Sequence, residues 1–572
     1  MRKMPKFIPD SQYNCRQDVN IVDELKEIRD ANLYLLGNNG KQNDGSILSL
    51  DFVNAFRSVS HRWFDLVLKK IGLPKKFIDW FWNLYRNLGI VINVNGCKSS
   101  IISNDRGFLE GSPPSMGAFC ISTFPLLIAL ERNMKGIKIK DGRVFKIKVF
   151  ADDMKTFIRE VREVEIIEKL IFNFEKVSGI YLHRDKTKKK CNILNFGRNR
   201  NHENWPNWIN VVDQMQVIGG LFTNNGSLEK INSELIKNKC IGTIMSNFNM
   251  TGTIDQKVYF LNTYCFSKLT YLSQAFMVDK KVLDEIKKYA LRYIYIGKNE
   301  RPAQSLNFRA KNFGGLNLVY PEIKAKSLLL KSMLKEIKIR ELDVGNNTFS
   351  KSIYGPIDEL LKIWKNGKKD FSAKDIYSDL IVQKVYDDNG ILIPSRVERK
   401  YHLLDWTIFY KNFKKVKYIN AVEKEFMFLF VQDLLPVPAR IHRRNNDSSC
   451  QRKLEDGRIC AKESDRKHFF MSCEVVEYCY IQFRLLVCEL LEMDVGDVDL
   501  LHFTFEVKNK HKRNLAIWIV LKYFYMIYKF KIYDFKIFVQ RILGEIEFLL
   551  MRNKIVKTSE IQFIQTLLVQ EL

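Results

Sequence analysis

Two short strand-compatible runs joined by a pair of aspartates constrain this 572-residue chain more than any other feature in it. Over residues 144–150 the apolar Phe145, Ile147 and Val149 alternate with Lys146 and Lys148, the period of two that marks a strand with one buried face. A second run, 154–158, begins directly after Ala151-Asp152-Asp153. The spacing predicts a β-hairpin with both acids in its tight turn, Asp152 as a metal ligand and Asp153 in support. Asp51 is expected to end another strand, 47–50, just before a helix-compatible stretch. Three carboxylates so placed suit two-metal phosphoryl transfer, in which acidic oxygens surround a pair of Mg²⁺ ions roughly 4 Å apart. The plainer reading is a common Asp-Asp turn and an ordinary capping Asp.

Three stretches bear on that choice: SLDFVNAFRSVSH at 49–61, RGFLEGSPPSMGAF at 106–119 and FADDM at 150–154. In order and wording they resemble the reverse transcriptase of non-LTR (LINE-type) retrotransposons, whose palm reads LDF-x-KAFDSV, then RG-V-x-QGDPLSP, then YADD. Phe7-Ile8-Pro9-Asp10 is similar to the family's GFIPGR, Ser178-Gly179-Ile180 with Asp185-Lys186-Thr187 to its SGL…NKSKT block, and Ile218-Gly219 to its LG step. Gly314-Gly315-Leu316-Asn317-Leu318 with Lys324-Ala325 resembles its GGLGL…KA segment.

The resemblance implies roles residue by residue. Asp51, Asp152 and Asp153 would hold two Mg²⁺ ions. Phe52, Ala55, Phe56, Glu110 and Gly111 would form the nucleotide site, with Phe56 as the wall that rejects a ribose 2′-hydroxyl by steric clash. Read without the family, Phe56 is a core aromatic. Gly111 would let backbone approach the nucleotide and template, where a side chain would obstruct. Lys186 would act as a general acid on the leaving pyrophosphate; its alternative, beside Lys188, Lys189 and Lys190, is one member of a solvated face. The chain departs from the pattern at Glu110, where the family has Gln, at Ser112, where it has Asp, and at Arg57, where it has Asp. Glu110 sets a negative charge beside an incoming triphosphate, a repulsion of about 1 kcal/mol at 4 Å in water and more in a dry cleft. Only six residues precede Phe7, where the family carries a fingers segment and often an endonuclease. The expectation is an N-terminally truncated member.

Charge agrees with a polyanionic partner: 92 basic and 65 acidic residues leave a formal +27. From 184 to 200 seven basic residues face only Asp185, and Arg440, Arg443 and Arg444 lead into a cysteine-rich stretch. Arg184, Lys188, Lys189, Lys190, Arg198 and Arg200, with those three arginines, are the candidate nucleic-acid contacts, which bind phosphates with steep salt dependence and little sequence preference. The alternative is solubilising charge. The most hydrophobic stretch, 515–530, is broken by Lys522 and Lys529 and falls short of a spanning helix. The first 13 residues have no apolar signal core. No membrane partner is expected, and an intracellular location, nuclear or cytoplasmic, fits.

Eleven scattered cysteines argue against a disulfide framework. Cys450, Cys460, His468 and Cys473 form a soft tetrahedral set suited to structural Zn²⁺, spaced like the family's C-terminal zinc knuckle except for a wider first gap. Glu455-Asp456-Gly457 would loop out as a hairpin tip within that gap, and Cys479 is a spare ligand. A degenerate remnant is the other reading.

Punctuation sets the organisation. A helix over 61–71 is stopped by Gly72-Leu73-Pro74, a second runs 76–88, and 90–94 alternates into the hairpin turn Asn95-Gly96. Past 207 the pattern is helical at 228–247, 256–274 and 280–296. The fold class expected is α+β, a right-hand polymerase palm of antiparallel sheet on helices. Its parts are incomplete fingers (1–48), palm (49–205), helical thumb and connector (206–340), mixed helices (341–445), a zinc-knuckle-like segment (446–480) and a helical tail (481–572). The function implied is RNA-templated DNA synthesis from dNTPs on a DNA primer or target. The rivals are a catalytically dead polymerase-derived nucleic-acid-binding protein and a palm enzyme that uses ribonucleotides.

Overall fold

A computed structural model describes residues 9–14, 19–37, 41–85, 88–103, 106–109, 111–202, 204–296, 301–340, 372–387, 392–406, 409–410, 419–438, 448–505, 507–552 and 559–571. Glu110, Arg440, Arg443, Arg444 and all of 341–371 lie outside these residues. The chain forms two compact units, one of residues 1–238, 268–283 and 325–373, the other of 239–267, 284–324 and 374–572.

The first unit is built on a five-stranded mixed sheet. Its order is Asn210–Val211, Asn192–Phe196, Gly45–Leu50, Asp153–Ile158, Ile147–Phe150, antiparallel except for the first pair. Gly45–Leu50 is the central strand, paired on both edges, and all of its residues but Ser49 are buried. Leu48, Leu50, Val149, Met154 and Ile193 point to one side, into a core with Phe64, Phe119, Leu127, Ile167 and Ile171 from the helices His61–Ile71, Pro113–Asn133 and Glu163–Ser178. The helix Ile21–Leu36, started by a full capping box at Asn20 and Asp23, packs against the same sheet. Among the described residues Pro113–Asn133 is the one helix long and apolar enough to cross a membrane; 61% of its most apolar window is buried inside the protein.

Several expectations are met within a residue or two, and others are corrected. The helix His61–Ile71 has the anticipated bounds and ends on Gly72 at φ 80°. Asn95 and Gly96, both at positive φ, close the tight hairpin between Asn93–Val94 and Cys97–Lys98. The helix expected over 76–88 runs only Lys75–Asn83. The strand read as 144–150 is two: Val144–Phe145 pairs with Ile137–Lys138, while Ile147–Phe150 pairs with Asp153–Ile158. Alternation cannot report such a change of partner at Lys146. The helix anticipated over 256–274 is interrupted, with Ile254–Phe260 passing into a wider turn at Leu261–Cys265.

The second unit is helical. Its longest helices are Lys510–Phe530, Glu474–Leu491 and Phe535–Met551. Lys522, buried in the first of these, pairs with Glu423 and Glu545. Arg309 and Glu398, both buried, form an ion pair at 2.7 Å that Tyr410 extends by donating to Glu398 at 2.9 Å. Gly315 lies against this network so closely that a Cβ would stand 2.0 Å from the Arg309 carbonyl oxygen.

Candidate active site and a cysteine–histidine cluster

Leu50 and Met154 are Cα partners across the two central strands, so Asp51 leaves its strand beside the turn that carries Asp152. That turn has two residues: Phe150 pairs with Asp153 and leaves Ala151 and Asp152 at its tip. Asp153 therefore opens the strand, a correction to placing both acids in the turn. Ala151 adopts φ 59°, the left-handed region, which costs an L-residue roughly 1–2 kcal/mol. The carbonyl of Asp51 accepts from the N–H of His183 at 2.9 Å, and Phe52 pairs with Leu182, which anchors the first acid from behind.

The three carboxylates interact. Burial raises the pKa of Asp152, and the charges of Asp153 and Asp51 push the same way, while Lys155 opposes them. Lys155 is 2% exposed and holds its Nζ 3.5 Å from Asp153, whose carboxylate is 56% exposed. Lys190 stands 3.7 Å from Asp51. Below Lys155 lies Glu24, fully buried on the helix Ile21–Leu36, with no hydrogen-bond partner on either oxygen. Burial pushes its pKa up to about 8 against the pull of Lys155 and Lys148. Mutually repelling acids with oxygen donors only match what a hard divalent cation requires.

The segment 106–119 is clipped to the Asp51 segment. Gly107 donates to Val59 and Phe108 to Phe56, at 2.8 and 2.9 Å, and His61 Nε2 lies 2.8 Å from the Gly107 oxygen. Gly107, at φ 76°, packs so tightly that a Cβ would lie 2.5 Å from the Arg57 backbone. Phe56 is half-buried and stacks on Phe119, centroids 4.4 Å apart. Phe52 and Ala55 are buried in the core and support the site from beneath. Gly111 sits at φ 86° with open space where a side chain would project.

Of the candidate phosphate contacts, Lys188, Lys189 and Lys190 are exposed. Arg184 pairs with buried Glu175 at 2.5 Å and Arg198 with Asp44 at 2.6 Å, and both bind the fold together. Arg200 stands 3.9 Å from Asp213. Lys186 begins a short turn, Lys186–Lys188, and its side chain lies outside the described atoms. Lys155, Glu24 and Gln12 carry no sequence signal; Lys155 reads as one polar position in a strand, and the other two as ordinary surface polar residues.

In the second unit one ligand atom each from Cys450, Cys460, His468 and Cys473 lies within 4.8 Å of all the others. A hairpin closed by Leu454 and Arg458 at 2.7 Å brings Cys460 back to Cys450, with Glu455-Asp456-Gly457 at its tip. Cys450 Sγ and Cys473 Sγ are 3.8 Å apart, and Cys460 Sγ and His468 Nε2 3.5 Å. A tetrahedral ion bound at about 2.3 Å to sulfur and about 2.05 Å to nitrogen separates such pairs by about 3.8 and about 3.5 Å, so the donor set fits Zn²⁺. Burial raises the Cys450 thiol to about 11. For Cys473 burial is outweighed by Arg452 and a backbone N–H, which pull its pKa down. Cys479 stands outside the set, on the helix Glu474–Leu491, where burial pushes its thiol up to about 12.

Residues 1–220 match the family described as reverse transcriptase (RNA-dependent DNA polymerase). The retrovirus-related Pol polyprotein from type-2 retrotransposable element R2DM of Drosophila melanogaster is 29% identical over 157 residues, covering 26% of this chain and 15% of that protein. The transposon TX1 uncharacterized 149 kDa protein of Xenopus laevis is 24% identical over 122 residues, 21% of this chain and 9% of that protein. The chain thus spans a small part of the length of these curated relatives. Telomerase from Candida tropicalis, solved with a fragment of telomeric RNA, overlaps 60% of this chain and 53% of its own at 9% identity and a TM-score of 0.31, too slight a likeness to carry an argument.

Proposed function

From the premise that residues 1–220 are a reverse transcriptase domain of the non-LTR retrotransposon kind, with a palm-type polymerase fold, we propose that this chain copies RNA into DNA by two-metal nucleotidyl transfer at Asp51, Asp152 and Asp153. What carries the reading is the strand register that sets Asp51 beside the Asp152 turn, where burial and the charges of Asp153 and Asp51 raise the proton affinity of Asp152. Two bound Mg²⁺ ions would supply the charge that activates a primer 3′-hydroxyl and offsets the departing pyrophosphate. Asp51, Asp152 and Asp153 hold that charge, and Lys155 limits their repulsion from behind. Phe56, braced by Phe119, faces the sugar of the incoming dNTP, and Gly111 keeps space for the template–primer. Lys188, Lys189 and Lys190 bind the phosphate backbone.

We further assign Cys450, Cys460, His468 and Cys473 to one structural Zn²⁺ ion. Residues 49–205 serve as the palm of the enzyme.

Primer extension on an RNA template with dNTPs and Mg²⁺ tests the catalytic reading. The wild-type chain should extend, and Asp152→Ala should fall by about 100-fold or more, since the charge it holds is worth several kcal/mol. Equal yields, or no product from either, would leave a nucleic-acid-binding scaffold as the better description.

A further inference from the structure

We propose that Gln12 is a positioning residue for the candidate catalytic turn: its buried carboxamide grips both backbone polar groups of Ala151 and so holds Asp152 where a divalent cation needs it. This rests on the reading that Asp152 binds such a cation.

The Ala151 N–H donates to Gln12 Oε1 at 3.1 Å, and Gln12 Nε2 donates to the Ala151 carbonyl at 3.4 Å. The same Oε1 accepts from the Asn14 N–H at 3.1 Å, so two donors converge on one atom and settle which end of the carboxamide is oxygen. Gln12 is fully buried, and Ala151 is 6% exposed. Water cannot replace these bonds without opening the turn.

Ala151 is an improbable residue for its place. The first position of a two-residue hairpin turn with positive φ belongs to Gly or Asn, and Ala has no polar side chain with which to satisfy the turn locally. Gln12 supplies that satisfaction from 139 residues away. Its backbone is anchored independently: Val149 donates to Ser11 at 2.9 Å and Tyr13 donates to Val149 at 2.8 Å. The carboxamide is thus not needed to keep the segment in place, only to set the turn. Asp152 is the next residue, and its carboxylate direction follows the Ala151 backbone.

The test uses the full chain with Mn²⁺ alone as the probe, followed by electron paramagnetic resonance, with thermal unfolding as the fold control. Gln12→Met keeps the side-chain volume and removes both bonds. Mn²⁺ affinity at the Asp152-dependent site should fall about tenfold with the melting transition retained. Adding Ala151→Gly, which adopts positive φ without strain, should recover most of it. Wild-type affinity in Gln12→Met, or no recovery with Ala151→Gly, would overturn the positioning role while leaving the metal reading intact. Unchanged Mn²⁺ binding in Asp152→Ala would instead remove the metal reading, and this inference with it. If Gln12→Met fails to fold, Gln12→Asn, which keeps the carboxamide but is one methylene too short to hold both groups of Ala151, should bind about threefold more weakly, and unchanged affinity would again overturn the role.

Discussion

Lys155 and Asp153 are two residues apart on one strand, yet their charged groups meet at 3.5 Å, the lysine buried beneath the sheet and the aspartate half in solvent. The buried Lys155 ammonium lowers the proton affinity of Asp152, against the burial and neighbouring charges that raise it. Lys155→Met should therefore raise the Asp152 pKa further. An activity that needs ionised Asp152 then loses rate at a higher pH than wild type as the solution is acidified. A pH–rate profile of primer extension reads this directly, and an unshifted acidic limb would show that Lys155 does not act on the site.

Glu24 protonates at about 8 in the folded chain and near its ordinary 4.5 when unfolded. Below pH 4.5 both states carry the proton and the carboxyl costs no extra stability. Between 4.5 and 8 the unfolded chain releases it while the folded chain keeps it, so stability falls as pH rises, and above 8 the full cost is in place. Glu24→Gln removes this dependence. Its advantage over wild type should be absent in acid, grow across that window and level off in alkali, as measured by denaturant unfolding. A pH-independent difference would mean that Glu24 is ionised in the fold.

The sulfur and nitrogen separations at Cys450, Cys460, His468 and Cys473 predict one zinc per chain by elemental analysis. Cys473→Ser should lose it, and chelation should lower the melting temperature, because binding energy at such a site is folding energy of order 10 kcal/mol. His468→Cys should keep the metal, since four thiolates also satisfy a structural site.

Gly315 has no room for a methyl group: the obstructing atoms are backbone oxygen and carbon of Arg309, which cannot swing aside. Gly315→Ala should destabilise the chain by about 1–3 kcal/mol through displacement of the Arg309–Glu398 pair. A calorimetric scan showing no loss would mean that the loop relaxes freely.

Phe56 stacks on Phe119 and is only partly buried. Phe56→Ala should raise incorporation of ribonucleotides relative to deoxynucleotides, scored by alkali-sensitive product. An unchanged ratio would return Phe56 to a purely structural role and favour a palm enzyme indifferent to the sugar.

Local order carried much of this site. The alternation ending at Phe150, the acids at 51, 152 and 153, and the Cys450 to Cys473 spacing all stood in the sequence before any coordinates, because strand periodicity and ligand spacing are short-range properties. The same logic failed where partners changed: at Lys146 one apparent strand became two, and the helix expected over 256–274 broke at Leu261.

What the sequence determined alone is the chemistry available: three carboxylates, a phenylalanine close behind the first of them, and a thiol and imidazole set, each named by its own neighbours. What only tertiary structure decided is which groups stand behind them. Gln12 reaches Ala151, Glu24 lies beneath Lys155, and Arg184 and Arg198 bind acids of the fold. Apart from Arg184 and Glu175, these pairings join residues far apart in the chain. They are fixed by which surfaces exclude water together, a property of the packed whole that no local pattern encodes.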